Sequence, residues 1–240
     1  EQLDLWGRRL AMTKNAGRAT FVTGPVPSLL RGLDRGLICW QIEFALVRDR
    51  LPSVLDRRHA TGLRLKNPFE QGFEGNVELI PPDDWSVSPR RIAFRLAPGE
   101  GFQQALEVAL PANVNLGPHV LRAQVEGYAG KPVHMSLRRT ITVGGEDVVL
   151  EVSTRLNAAG ELEVEQRLVN RSDRPLSFRC QLFAPERRRM SVQVVGLARG
   201  DDVRVFRLPD GKQLLGKSLW LQAEETGGPR VLNHRFVAAE

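Results

Sequence analysis

From Leu37 onward apolar and polar positions alternate in short runs, each closed by a turn signal. Trp40, Ile42, Phe44 and Leu46 are separated by Gln41, Glu43 and Ala45, the period of two that a half-buried strand requires. Leu63 and Leu65 alternate next and stop at Asn67-Pro68, and Val77 and Leu79 stop at Pro81-Pro82. Ile92, Phe94 and Leu96 end at Pro98-Gly99, and Leu106, Val108 and Leu110 at Pro111. Leu121, Ala123 and Val125 run to Gly127, and Met135, Leu137, Ile141 and Val143 to Gly144-Gly145. Strands of this length and spacing predict an immunoglobulin-like sandwich over 37–145. Trp85, framed by Pro82 and Pro89, is expected to plug its core.

A second alternating set begins near Asp147. Leu150, Val152 and Leu156 lead to a turn at 157–160, and Leu162, Val164 and Leu168 to a polar turn at 170–175. Leu176, Phe178, Cys180 and Leu182 follow, then Val192 with Val194 and Val203 with Val205. Asp210-Gly211 is a hairpin signal between Phe206 and Leu214. Leu219 and Leu221, then Val231 and Phe236, close the sheet across Gly227-Gly228-Pro229. No stretch keeps a helical period; Ser28 to Leu33 is allowed one turn. The expected fold is therefore all-β, two tandem Ig-like or fibronectin-like β-sandwiches at 37–145 and 146–240. Residues 1–36, with short β runs such as Ala19–Gly24, are a partial β segment: the tail of an upstream β domain or an N-terminal extension.

The two halves share one local device. Leu65-Lys66-Asn67 and Leu168-Val169-Asn170 both end an apolar run on Asn before a polar turn. An Asn side chain there can hydrogen-bond the turn backbone.

Composition narrows the function classes. At 240 residues there is chain enough for two sandwiches of roughly 100 residues. No apolar run approaches the ~20 residues a membrane helix needs, so membrane insertion is not expected. No signal peptide is visible, and a start on Glu1 is what a processed or excised chain would show. The net charge of +6 rests mostly on Arg, with both signs interleaved. The one dense basic run, Arg187-Arg188-Arg189, lacks the interleaved aromatics of a nucleic-acid site, so it reads as a solvated turn. Cys39 and Cys180 fall in different halves and are expected to be free thiols, Cys180 on a buried face.

No catalytic, cofactor or metal constellation is expected. His59, His119, His134 and His234 lack zinc-site spacing. Asp83-Asp84 and Asp201-Asp202 are neighbours in turns, and two carboxylates flanking a sugar bond must face each other across it. As loop carboxylates they could ligate calcium, though turn-forming Asp is the simpler reading. A sugar platform needs an exposed flat ring, for which Trp6, Phe73, Tyr128 and Trp220 are the candidates. The ligand-binding residues are otherwise unassigned.

The order Asn67, Gly75, Pro82, Trp85, Pro89, Phe94, Pro98-Gly99-Glu100, Pro111 and Gly117 resembles the alpha-galactosidase-associated β-sandwich domain. That Ig-like module is found beside NPCBM carbohydrate-binding modules in secreted bacterial glycosidases. The resemblance covers residues 40–145. It implies a non-catalytic accessory or spacer module of a larger extracytoplasmic protein, with Trp85 and Phe94 in the core. The expected partners are other domains of the same polypeptide, and polysaccharide. The alternatives are a carbohydrate-binding module and an adhesion module that binds another protein.

Overall fold

The computed structural model describes residues 1–15, 18–20, 24–55, 57–82 and 84–239. These residues are nearly all β, and their buried apolar side chains form two hydrophobic clusters. The first runs from Trp40 to Val143 and the second from Val148 to Ala238. Around the first cluster lie a four-stranded and a five-stranded sheet. The smaller is ordered Ser86–Ser88, Gly101–Ala109, Arg58–Lys66, Ala45–Leu46. The larger is ordered Arg91–Leu96, Phe73–Ile80, Gly117–Tyr128, Pro132–Val143, Arg50–Leu51. Both sheets turn alternate residues inward, Leu63, Leu65, Leu106 and Val108 from one and Val77, Leu79, Phe94 and Val125 from the other. This is sandwich packing. Trp85 is buried in this core, as its proline frame predicts.

Around the second cluster the strand order repeats. One sheet is ordered Val148–Leu156, Leu162–Asn170, Gly200–Leu208. The other is ordered Met190–Leu197, Leu176–Phe183, Ser218–Glu225, Val231–Val237. These strands have counterparts in the first half. Arg58–Lys66 pairs with Gly101–Ala109 as Leu162–Asn170 pairs with Gly200–Leu208. Phe73–Ile80 lies between Arg91–Leu96 and Gly117–Tyr128 as Leu176–Phe183 lies between Met190–Leu197 and Ser218–Glu225.

The two asparagines singled out by the sequence hold equivalent corners. Asn67 is fully buried, and its Nδ2 donates to the carbonyls of Gln71 (2.9 Å), Leu96 (3.0 Å) and Ala97 (3.1 Å). Its Oδ1 accepts from the Phe69 N–H (2.9 Å). Asn170 is buried as well. Its Nδ2 donates to the Arg174 (2.7 Å) and Leu197 (2.9 Å) carbonyls, and its Oδ1 accepts from the Ser172 N–H (2.9 Å). Leu96 and Leu197 are the last residues of strands from which the chain crosses to the opposite sheet. Each Asn therefore ties its own turn to that crossover.

Four expectations are corrected. Residues 40–43 are not in a strand: Arg35–Glu43 is an α-helix, and Ile42 is exposed. Leu37, Trp40 and Phe44 also fit a helical spacing, and distant groups decide the matter. Asp34 caps the helix through the Leu37 N–H (3.1 Å) and pairs with Lys131. Arg139, in the inward phase of its strand between Leu137 and Ile141, donates to the carbonyls of Phe44 (2.5 Å) and Gln41 at the other end. A cation there also suits the helix dipole. Leu29–Leu30, allowed a helical turn, instead pairs with Gln2–Leu3. Val203 and Val205 face outward, because the inward phase of Gly200–Leu208 ends in Phe206 and Leu208 and carries the Asp202–Arg204 ion pair (2.8 Å). Asp210-Gly211 is not a hairpin: Gly200–Leu208 and Ser218–Glu225 lie in different sheets, joined by a 3₁₀ turn over Gly211–Leu214. Gly211 is required there, since a Cβ would lie 2.2 Å from the Leu162 nitrogen. Of the run Ala19–Gly24, residues 21–23 lie outside the described residues.

Asn67→Ala and Asn170→Ala should each cost about 3 kcal/mol, because carbonyls and an N–H are left unpaired at a buried corner. Urea unfolding of the whole chain measures this, and Asn→Asp, which keeps only the acceptor, should not restore it. Unchanged midpoints would remove the corners from the list of stabilising features.

Candidate functional site

The structure scatters the four platform candidates. Phe73 is fully buried, edge-on to Trp40 (centroids 4.8 Å) and Phe94 (4.9 Å), so it is core. Trp40, which an alternating pattern places on a strand, joins this aromatic cluster from the helix, against Phe73 and Phe94 (5.5 Å); its spacing from Leu37 and Phe44 is the signal for it. Trp220 is flanked by its cross-strand neighbours. Phe183 stacks on it at 4.6 Å, the Arg235 guanidinium lies 5.6 Å from its centroid, and its Nε1 donates to Asn233 (3.2 Å). Trp6 and Tyr128 are exposed, and Trp6 has the Arg8 guanidinium 5.1 Å from its centroid. No ring contact joins any two of Trp6, Tyr128 and Trp220 among the described residues.

The titratable groups are mostly engaged in structural pairs. His59 is buried with Nε2 2.7 Å from the Val54 carbonyl, and His119 lies against Trp85 (4.9 Å). His234 stacks on Phe236 (5.8 Å), where burial lowers its pKa, and His134 is exposed. Asp201 and Asp202, read from the sequence as turn neighbours, lie instead in the strand Gly200–Leu208, and Asp201 pairs with Arg167 (3.0 Å). Asp83 lies outside the described residues. Among the described residues no group of three or more His, Cys, Asp or Glu is placed to hold a metal ion. Both cysteines are free. Cys180 is buried and accepts from Gln166 Nε2 (3.1 Å), and burial pushes its thiol up to about 11, away from the thiolate a nucleophile needs. Arg187 reaches Asp210 (3.5 Å), while Arg188 and Arg189 are exposed.

One charge cluster covers its carboxylate almost completely, and it is structural as well. Glu163 lies on the outer face of its sheet, directly across from Arg155 on one side and Arg207 on the other. Arg155 (2.6 Å), Arg207 (3.1 Å) and Asn157 (3.4 Å) all bond its carboxylate. These hydrogen bonds, Arg155's first, hold its pKa below the ordinary glutamate value.

Two larger clefts remain. One, about 660 Å³, is lined by Arg48, Arg50, Arg57 and Arg58 together with Asp49 and Glu146. Arg58 is already paired with Glu107 (2.7 Å), and Arg50 donates to the Gly145 carbonyl (3.3 Å). The other, about 560 Å³, follows the helix past Asp34, Cys39, Glu43 and Lys66. The first is mainly polar, the second is lined about equally by polar and apolar groups such as Phe69 and Pro68, and both are mixed in charge. They offer donors and acceptors for a polar ligand and no nucleophile–base pair bonded to each other.

A depressed carboxylate pKa stabilises the fold above its ordinary value, and that stability is lost as pH falls through the folded value. Glu163→Gln should therefore flatten the acid limb of the stability profile between neutral pH and about pH 3. Urea midpoints across that range measure it; an unchanged acid limb would leave the cluster without energetic weight.

No match was found among curated proteins. Among solved structures, the red sea bream transglutaminase is similar at 9% identity and a TM-score of 0.34, over 82% of this chain and 31% of that one. This chain thus spans about a third of that protein's length. The YadV chaperone is 16% identical with a TM-score of 0.29, over 81% of this chain and 100% of that one. The CupB2 chaperone of Pseudomonas aeruginosa is 12% identical with a TM-score of 0.30, over 80% and 97%. Residues 71–127, from the strand Phe73–Ile80 into Gly117–Tyr128 and inside the stretch that carries the resemblance, match the family described as the NPCBM-associated, NEW3 domain of alpha-galactosidase.

Proposed function

We propose that this chain is a non-catalytic accessory or spacer module of a larger extracytoplasmic bacterial protein associated with a glycoside hydrolase. It would comprise two tandem sandwiches, 37–145 and 146–240, after a β segment at 1–36. The observation that carries the reading is the match of residues 71–127 to a domain that accompanies alpha-galactosidase. The two separate cores and their repeated strand order support the tandem division. The pairing of the buried polar groups supports a structural role. Any polysaccharide contact would fall to Trp6 and Tyr128, the exposed rings among the four candidates.

The chain should not hydrolyse aryl α-galactosides or galactose-containing polysaccharides, and affinity electrophoresis should show no retardation by neutral polysaccharides. Saturable turnover would overturn the non-catalytic reading. Retardation abolished by Trp6→Ala or Tyr128→Ala would favour a carbohydrate-binding module instead.

A further inference from the structure

The two cores meet along a seam of main-chain hydrogen bonds. Val231–Val237 is the last strand of its sheet, so one of its edges has no partner strand. At that edge the Val231 N–H donates to the Ser53 carbonyl (3.0 Å), and the Asn233 carbonyl accepts from the Leu116 N–H (2.8 Å). The Ser53 hydroxyl donates back to the Val231 carbonyl. Residues 231 and 233 stand two apart, as groups on one strand edge must. Val54 bridges Arg230 in antiparallel sense and Asn115 bridges Asn233 in parallel sense. Two short segments of the first half thus occupy an edge that would otherwise be open to pairing.

The Asn233 side chain completes the seam. It is fully buried. Its Oδ1 accepts from Trp220 Nε1 (3.2 Å) and Gln222 Nε2 (3.1 Å), and its Nδ2 donates to the Ala112 carbonyl (3.0 Å) of the first half. An indole N–H only donates, which fixes the orientation of the amide. Leu116 packs into the second core. The connection is fastened too: the Gly144 N–H donates to the Leu51 carbonyl (2.8 Å), and Arg230 pairs with Asp147 and with Glu225 (3.0 Å). At Gly144 φ is +77°, and a Cβ would meet Leu116 Cδ2 at 2.5 Å.

Relative motion is the ordinary expectation for two domains in one chain. Here rotation of one half would strand a buried amide and several main-chain groups without partners. We infer that the surface formed by 53–54 and 112–116 is an intramolecular docking site for the edge strand at 230–233, and that it holds the halves in one orientation. The chain is then a rigid arm that fixes the direction between whatever it joins. This inference rests on the two-unit reading.

The test uses the full chain with a protease site inserted between Gly145 and Glu146. After cutting, the two pieces should co-migrate in size-exclusion chromatography at low micromolar concentration, both folded by amide-proton dispersion. Asn233→Ala should weaken their association about a hundredfold, through loss of the amide's hydrogen bonds. Ser53→Ala with Leu116→Ser, which leaves the second half's own residues intact, should do the same if Asn233→Ala fails to fold. Two folded pieces that separate on cutting would overturn the seam and leave the two-unit reading standing. Pieces that unfold on cutting would overturn both.

Discussion

A chain that must pass from one sheet of a sandwich to the other exposes backbone groups at the crossing, and burial forbids leaving them unpaired. Here one side-chain amide meets that constraint in each half. Asn67 and Asn170 follow the apolar positions of strands in the smaller sheets and reach the last carbonyls, Leu96 and Leu197, of strands in the opposite sheets. The same side chains hold their own turns through Phe69 and Ser172. The strands that follow the crossings, Gly101–Ala109 and Gly200–Leu208, pair beside the strands that lead into the asparagines. Turn, crossover and sheet pairing are therefore coupled at a single residue.

The same rule governs the other polar groups drawn into the interior. Arg139 sits in an inward row because the helix end offers it carbonyls. Asn233 is buried between the halves because the amide is satisfied on both sides. On an outer face the same holds: Glu163 is covered because two arginines and an asparagine surround it. Among the described residues Trp40 Nε1, Asn115 Oδ1 and Gln166 Oε1 are exceptions, buried without a hydrogen-bond partner, and we have no physical account of them. Chemistry of this kind positions strands.

Strands bounded by Gly, Pro and Asn are legible in the sequence because period-two burial and turn chemistry are both local. The corner asparagines are legible for the same reason, as a repeated Leu-x-Asn ending. What the sequence misplaces is decided at a distance. Residues 40–43 satisfy both a strand and a helix period, and the groups that select the helix, Lys131 and Arg139, come about a hundred residues later. The turn chemistry at Asp210-Gly211 is real, since Asp210 is left-handed, but which strands it joins is a matter of topology. Val203 and Val205 look like core residues until Asp202 and Arg204 are seen to pair on the inward side. The aromatic platform is not legible because sequence cannot show that Phe183 and Arg235 flank Trp220 from neighbouring strands.

The coupling at the corners is most directly tested by native-state hydrogen exchange of the Phe69 and Ser172 amides. Both lie in bends outside any strand, where amides ordinarily exchange quickly. Because each donates to a buried asparagine oxygen, the account predicts protection comparable to that of the core strands Phe73–Ile80 and Leu176–Phe183. Exchange at the rate of ordinary turn amides would contradict it.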